Sequence, residues 1–258
     1  MKLPPQNLCN FAAINFAITI MKLDILVFGA HPDDVELSCG GTIAKEISLG
    51  KKVGIIDLTR GELGTRGTAE IRDEEADNAG KLLGVAIREN LRFRDGFFTN
   101  DEEHQLKVIE MIRKYQPDIV IANAIEDRHI DHGKGSKLVS DACFLSGLRK
   151  IQTQHDGVNQ DAWRPEVVYH YIQWKNLKPD FVVDITGFID VKVASLMAYK
   201  SQFYDPNSTE PVTPIATKNF KESILYRAAD LGRLINTEYG EGFTAERHVA
   251  VSSLSDLI

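Results

Sequence analysis

Cysteine is scarce: Cys9, Cys39 and Cys143 are the only three, and none stands in a CxxC pair. An odd, scattered set excludes a disulfide scaffold. It fits a reducing compartment, so a cytoplasmic protein is expected. A basic stripe is also missing. Lys and Arg number 30 against 37 Asp and Glu, and the net charge is −7, a poor match to the phosphate backbone of nucleic acid. There is no internal repeat and no low-complexity segment. The first twenty residues, MKLPPQNLCNFAAINFAITI, hold an apolar stretch far short of the roughly 20 residues a bilayer demands, and neither nucleic acid nor membrane is an expected partner. Met21 stands directly before KLDILVFGAHPDD. Residues 1–20 are therefore expected to be an appended extension or start-site artefact, with 21–258 forming one domain.

One further absence is local. The apolar run DILVFGA (24–30) reads as a buried first strand, and a dinucleotide-binding protein would follow it with G-x-G-x-x-G. This chain follows it with HPDDVE (31–36). Such acidity repels a pyrophosphate and counts against a dehydrogenase.

The elements alternate. A helix is expected over GTIAKEISLGKK (41–52), a strand over 53–59, and a helix over AEIRDEEADNAGKLLG (69–84). A short strand at 91–93, a helix over 101–116 and a strand at 118–123 follow, then a helix at 134–149. The polar stretch 150–165 reads as a surface loop. Strands over EVVYHYIQW and FVVDIT come next, then helices near 187–202 and 219–238. This order predicts an α/β, Rossmann-like fold, a mostly parallel sheet with helices on both faces. Ligands of such sheets bind at the carboxyl ends of the strands, where strand order reverses. HPDD and EDRHIDH (126–132) each leave such an end, about a hundred residues apart.

Together they supply His31, Asp33, Asp34, Glu36, His129, Asp131 and His132. A catalytic zinc takes three His or carboxylate ligands and keeps one position open. A further carboxylate can act as general base. Adjacent residues in an extended turn point oppositely, so of Asp33 and Asp34 one is expected to bind metal and the other to face water. If His132 ligates, His129 can stand over a substrate carbonyl, and Asp131 can orient one of these two imidazoles. His31, Asp33 and His132 also satisfy the HxD…H triad of non-haem iron oxygenases, but those sit on all-β barrels. A non-catalytic metal- or sugar-binding protein is a further alternative, against which Asp33 beside a metal ligand counts.

AHPDDVE with the later DRHIDH resembles the LmbE-like, or PIG-L, de-N-acetylases, metal-dependent enzymes that remove acetyl groups from N-acetylglucosaminyl compounds. The resemblance implies an LmbE-like fold with His31, Asp34 and His132 holding zinc, Asp33 as general base, His129 assisting at the oxyanion or leaving group, and Asp131 between the histidines. It extends over TRGELGTRGTAEIRDEEA (59–76), where Arg72 and, less closely, Arg66 match substrate-contacting arginines. FVVDIT, AYKSQF and YGEGF resemble the branch that deacetylates N-acetylglucosaminyl malate in bacillithiol synthesis. Zn²⁺, with Fe²⁺ as an alternative, an N-acetyl sugar substrate and a homo-oligomer are what the resemblance implies. Glu36 is expected to be a helix-entry or outer carboxylate, Cys39 a buried small residue, and His170 a strand residue. Tyr199, Lys200 and Glu241 stand either at the substrate entrance or on a helix face.

Overall fold

The computed structural model describes residues 21–256; the expected 1–20 extension lies outside them. β1 (Ile25–Gly29) is buried along its whole length, and its two faces feed two cores. Leu26 and Phe28 join Ile56, Leu58, Val108 and Ile112 on one side, while Ile25 and Val27 join Val35, Ile43, Ile55 and Tyr171 on the other. A strand apolar at every position is what burial on both faces requires. β2 (Val53–Thr59), β3 (Ile87–Phe93), β4 (Ile119–Ala122) and β7 (Val167–Tyr171) run parallel to it. α1 (Asp34–Ser48), α2 (Ala69–Leu83), α3 (Glu102–Tyr115) and α4 (Ile130–Ser146) make the crossovers.

The helix ends follow local chemistry. The Thr68 hydroxyl accepts the Ile71 amide at the start of α2, and Gly84 ends it at φ 81°. Asp101 accepts the His104 amide at the start of α3, and Gln116 turns left-handed before Pro117. Both are ordinary capping solutions for orphaned amides and carbonyls.

With β8 (Phe181–Asp184) and β9 (Gly240–Ala245), the sheet order is β3-β2-β1-β4-β7-β9-β8. Strand order reverses between β1 and β4, so the loops after these strands face a common crevice. The expected mostly parallel sheet with helices on both faces is present. Three local expectations are corrected. β9 inserts antiparallel between β7 and β8, although its GEGFTA sequence shows no strand-like alternation. The 150–165 loop carries a small hairpin, β5 (Gln154–His155) and β6 (Val158–Asn159). The last two helices, α5 (Ile189–Leu196) and α6 (Phe220–Arg233), are shorter than expected. Among the described residues no helix is long and apolar enough to cross a membrane.

α1 begins earlier than expected because Asp34 is its first residue, and it breaks at Cys39 (φ −136°, ψ 19°). A buried ion pair is spliced into the break. The Lys192 ammonium on α5 donates to the carbonyls of Glu36 and Leu37 at 3.1 and 2.8 Å. The Glu241 carboxylate on β9 accepts the amides of Gly41 and Thr42 at 3.0 and 2.6 Å, and the two side chains meet at 2.6 Å. Each thus substitutes for helical hydrogen bonds lost at the kink. Gly41 is needed there, since a Cβ would stand 2.7 Å from Ile185. Lys192 and Glu241 are both nearly fully buried. Removing one partner of such a pair costs about 3–5 kcal/mol because the other charge is stranded. Lys192→Met is therefore expected to lower unfolding free energy by that order in urea titrations, and Lys192→Met with Glu241→Gln by less. Equal loss in single and double variants would contradict a stranded charge.

Candidate active site

The turn between β1 and α1 is strained at one residue. Asp33 lies at φ 103°, a region L residues rarely visit and which costs of order 1–3 kcal/mol. The Asp34 amide closes the turn onto the His31 carbonyl at 3.3 Å. Asp33 and Asp34 diverge as expected, but by a left-handed residue ahead of a helix rather than by extended alternation.

Asp34 is the most heavily bonded side chain of the crevice. Its Oδ2 accepts from the His31 backbone amide at 3.0 Å and from Asn123 Nδ2 at 3.1 Å, and Oδ1 accepts from Gln173 Nε2 at 2.6 Å. His31 Nδ1 lies 3.4 Å from Oδ2, and His132 Nε2 lies 3.2 Å from Oδ1. Burial alone would raise this carboxyl's pKa, but His132 and His31 outweigh it and hold the group well below the usual carboxylate range.

Each imidazole that meets Asp34 rests its other nitrogen on a second carboxylate. His31 Nε2 lies 3.1 Å from Asp95 Oδ1 and 3.4 Å from Asp131 Oδ2. His132 Nδ1 lies 2.6 Å from Asp127 Oδ2. Against the opposing effect of burial, Asp34 and Asp127 raise His132 to about 9, and Asp131, Asp34 and Asp95 raise His31. His129 behaves differently. Burial and the neighbouring His31 and His132 lower its pKa. Its Nδ1 accepts the Asp131 amide at 3.3 Å as the N-cap of α4. That bond leaves the proton of a neutral ring on Nε2. The rings of His129 and His31 are 4.5 Å apart and those of His129 and His132 5.2 Å.

Asp33, like His31, Asp34 and His132, lines a cavity of about 300 Å³ whose walls also include Arg72, Arg128, His129, Trp174 and Phe203. Burial pushes its carboxyl up to about 7; Arg72, with Nη2 3.2 Å from Oδ2, pulls it down, and Asp34 adds to the rise. A carboxyl poised near neutrality suits proton transfer. Arg72 also donates to the carbonyls of Pro32 and Gly61. Gly61, at φ 63°, leaves that room: a Cβ there would lie 1.9 Å from Arg72 Nη1.

The structure thus brings His31, Asp33, Asp34, His129, Asp131, His132 and Arg72 together from the β1–α1 turn, the start of α4 and helix α2. Several expectations need correction. Arg66 does not line the cavity. Its guanidinium is buried and donates to the carbonyls of Ser201, Pro211 and Phe203 and to the Ser208 hydroxyl, so it clamps the 201–211 loop. Asp131 is fully buried and orients His31, not His129 or His132 through its side chain. Glu36 pairs with Arg88 and accepts from the Tyr199 hydroxyl, beneath the site. Tyr199 is wholly buried, Lys200 is exposed, and Glu241 serves α1. Cys39 is a buried small residue as expected, and the His170 ring meets Ser136 and Glu246. Sequence reasoning missed Asp95, Asn123, Asp127 and Gln173. Asn123 and Asp127 stood in view, ending DIVIAN and opening the second motif. Asp95 and Gln173 carried no signal beyond their places near the carboxyl ends of β3 and β7.

The donor set suits a divalent transition metal. Ligand atoms of His31, His129 and His132 lie within 4.8 Å of one another, as do those of His31, Asp95 and Asp131. His31 and His132 both turn a nitrogen toward the Asp34 carboxylate, and their far nitrogens rest on carboxylates, the outer arrangement typical of metal-bound imidazole. Two imidazoles and one carboxylate match the ligand types of a catalytic zinc centre.

Residues 26–143 match the family model described as PIG-L: GlcNAc-PI de-N-acetylase. The fold is similar to that of the conserved protein TT1542 from Thermus thermophilus, with a TM-score of 0.80, 35% identity, and coverage of 90% of this chain and 98% of that one. It is also similar to N,N'-diacetylchitobiose deacetylase from Pyrococcus horikoshii, with a TM-score of 0.73, 25% identity, and coverage of 91% and 88%. The diacetylchitobiose deacetylase of Thermococcus kodakarensis is 29% identical over 189 residues, 69% of this chain and 70% of that one. With this histidine and aspartate cluster at the switch point of this sheet, and with these matches, the chain is similar to the PIG-L de-N-acetylases over residues 26–143.

Proposed function

We propose that the protein is a metal-dependent hydrolase that removes the acetyl group from an N-acetylglucosaminyl conjugate. One observation carries the reading. The two imidazoles on Asp34 are each backed by a carboxylate, and Asp33, on the same turn and lining the same cavity, meets Arg72 instead of an imidazole. His31, Asp34 and His132 would hold the metal. A divalent ion there supplies Lewis acidity to the attacking water and to the amide carbonyl.

The remaining chemistry belongs to the chain. Asp33, desolvated and poised near neutrality, takes the proton of the attacking water. Arg72 holds that carboxylate in place through the contact at 3.2 Å. His129, with Nδ1 occupied, has Nε2–H to offer the carbonyl oxygen as negative charge gathers on it. The proton held by Asp33 returns to the departing nitrogen, so the products are acetate and a free amine. Asp95, Asp127 and Asp131 hold the far N–H of each ring, so that the nitrogen turned toward Asp34 is the one that would give up its proton to a metal.

The finer reading is N-acetylglucosaminyl malate, the bacillithiol precursor, with zinc as the metal. It rests on FVVDIT, AYKSQF and YGEGF, and on a cation at the cavity. Arg66 and Arg72 are engaged internally, but Arg128 lines the cavity 4.6 Å above the Trp174 ring and forms no ion pair among the described residues. It is placed to meet an anionic aglycone. The free, buried thiols Cys39 and Cys143 support a cytoplasmic setting.

Zinc-loaded protein is expected to release free amine from N-acetylglucosaminyl malate faster than from N,N'-diacetylchitobiose or N-acetylglucosamine. Equal rates would remove the malate reading, and no amine from any of them would remove the deacetylase reading. Asp33→Asn should keep the metal while losing about 10²–10⁴ in kcat, read by elemental analysis beside the amine assay. His132→Ala should lose the metal itself. A full metal complement in that variant would contradict the assignment.

A further inference from the structure

Behind the wall of the catalytic cavity lies a second cavity of about 530 Å³, and Leu37, Gln173 and Trp174 line both. The segment Gln173-Trp174-Lys175, just after β7, touches the metal-binding cluster at two independent points. The Gln173 side-chain amide donates to Asp34 Oδ1 at 2.6 Å. The backbone amides of Trp174 and Lys175 donate to Asp127 Oδ1 at 3.0 and 2.8 Å, and the other oxygen of Asp127 holds His132 at 2.6 Å. Arg227 on α6, which lines the second cavity, grips the same segment from outside. It donates to the carbonyls of Trp174 and Lys175 at 3.1 and 2.9 Å.

The orientation of Gln173 shows which partner it serves. Its Oε1 is buried with no hydrogen-bond partner, and so is Asn123 Oδ1, whose amide meets the other oxygen of Asp34. An orphaned buried acceptor is destabilising. Turning either amide over would point a carbonyl oxygen at a carboxylate, so the Asp34 charge dictates both orientations. Neither amide is therefore arranged for fold stability alone.

We propose that Gln173–Lys175 is the positioning element of the metal site. Gln173 fixes the Asp34 carboxylate, the amides of Trp174 and Lys175 fix Asp127 and through it His132, and Arg227 fixes the segment. One short stretch thereby aligns two of the three groups assigned to the metal under the proposed function, and this inference rests on that assignment. Gln173 acts through Asp34 and is a positioning residue.

The test is a titration of zinc into metal-free protein against a chromophoric chelator, with cobalt absorption as a second readout of ligand geometry. Gln173→Leu keeps the bulk and removes the donor. It is expected to weaken zinc binding about 10–100-fold and to shift the cobalt spectrum, while the urea midpoint of the metal-free protein stays at the parent value. Arg227→Met, one step farther out, is expected to weaken zinc binding less than Gln173→Leu does, and it carries the same test if the leucine variant does not fold. Parent-like zinc affinity in Gln173→Leu, or a loss accompanied by a matching drop in metal-free stability, overturns the proposal. A parent protein that binds no zinc overturns the metal assignment and this inference with it. A parent that binds zinc but releases no amine overturns only the deacetylase reading.

Discussion

The charge on Asp34 is the constraint around which the site is organised. A carboxylate this deeply buried persists as an anion only if surrounded by donors. The chain surrounds it with a backbone amide, two side-chain amides and two imidazoles. Those donors come from the ends of β1, β4 and β7 and from the first turn of α4, so the carboxylate ties three strands together at the point where sheet order reverses. The imidazoles in turn need their far nitrogens satisfied, which brings in Asp95, Asp127 and Asp131. What looks like an acidic cluster is an alternation of acceptors and donors, each holding the next.

That arrangement depends on where α1 starts and where it breaks. Asp34 heads the helix, and the strained Asp33 before it turns its own side chain into the cavity. Farther along, the helix bends at Cys39, and the Lys192–Glu241 pair replaces the interrupted hydrogen bonds. The kinked helix is thereby pinned to α5 and to the antiparallel strand β9, and the turn that carries both aspartates has a rigid base. Behind it, Glu36, Arg88, Asp57 and Tyr199 form a buried polar layer that supports the turn without reaching the cavity.

The sequence was most informative where one residue type answers one physical demand. Uninterrupted apolar runs marked β1 and β4, because a strand covered on both faces tolerates little else. HPDD and DRHIDH were legible because histidine and aspartate in such density after a buried strand have few uses other than holding a metal or moving a proton. β9 was invisible because its glycines and Glu241 answer to neighbours that only packing supplies. Arg66 was misleading for the same reason: the family resemblance implied a substrate contact, yet three backbone carbonyls had already claimed it.

By itself, then, the chain determined its fold class, the two motifs that must meet, and the division of labour expected between neighbouring aspartates. Those are matters of periodicity and of what side chains can do chemically, and they are local. Tertiary structure alone decided which oxygen faces which imidazole, that Asp131 serves His31, and that Asp95, Asp127 and Gln173 belong to the site. It also decided that, among the described residues, Arg128 lines the cavity without an ion pair while Arg66 is engaged elsewhere. Each of these is a choice of partner among groups far apart in sequence, and a donor or acceptor is available only if packing has not already given it another.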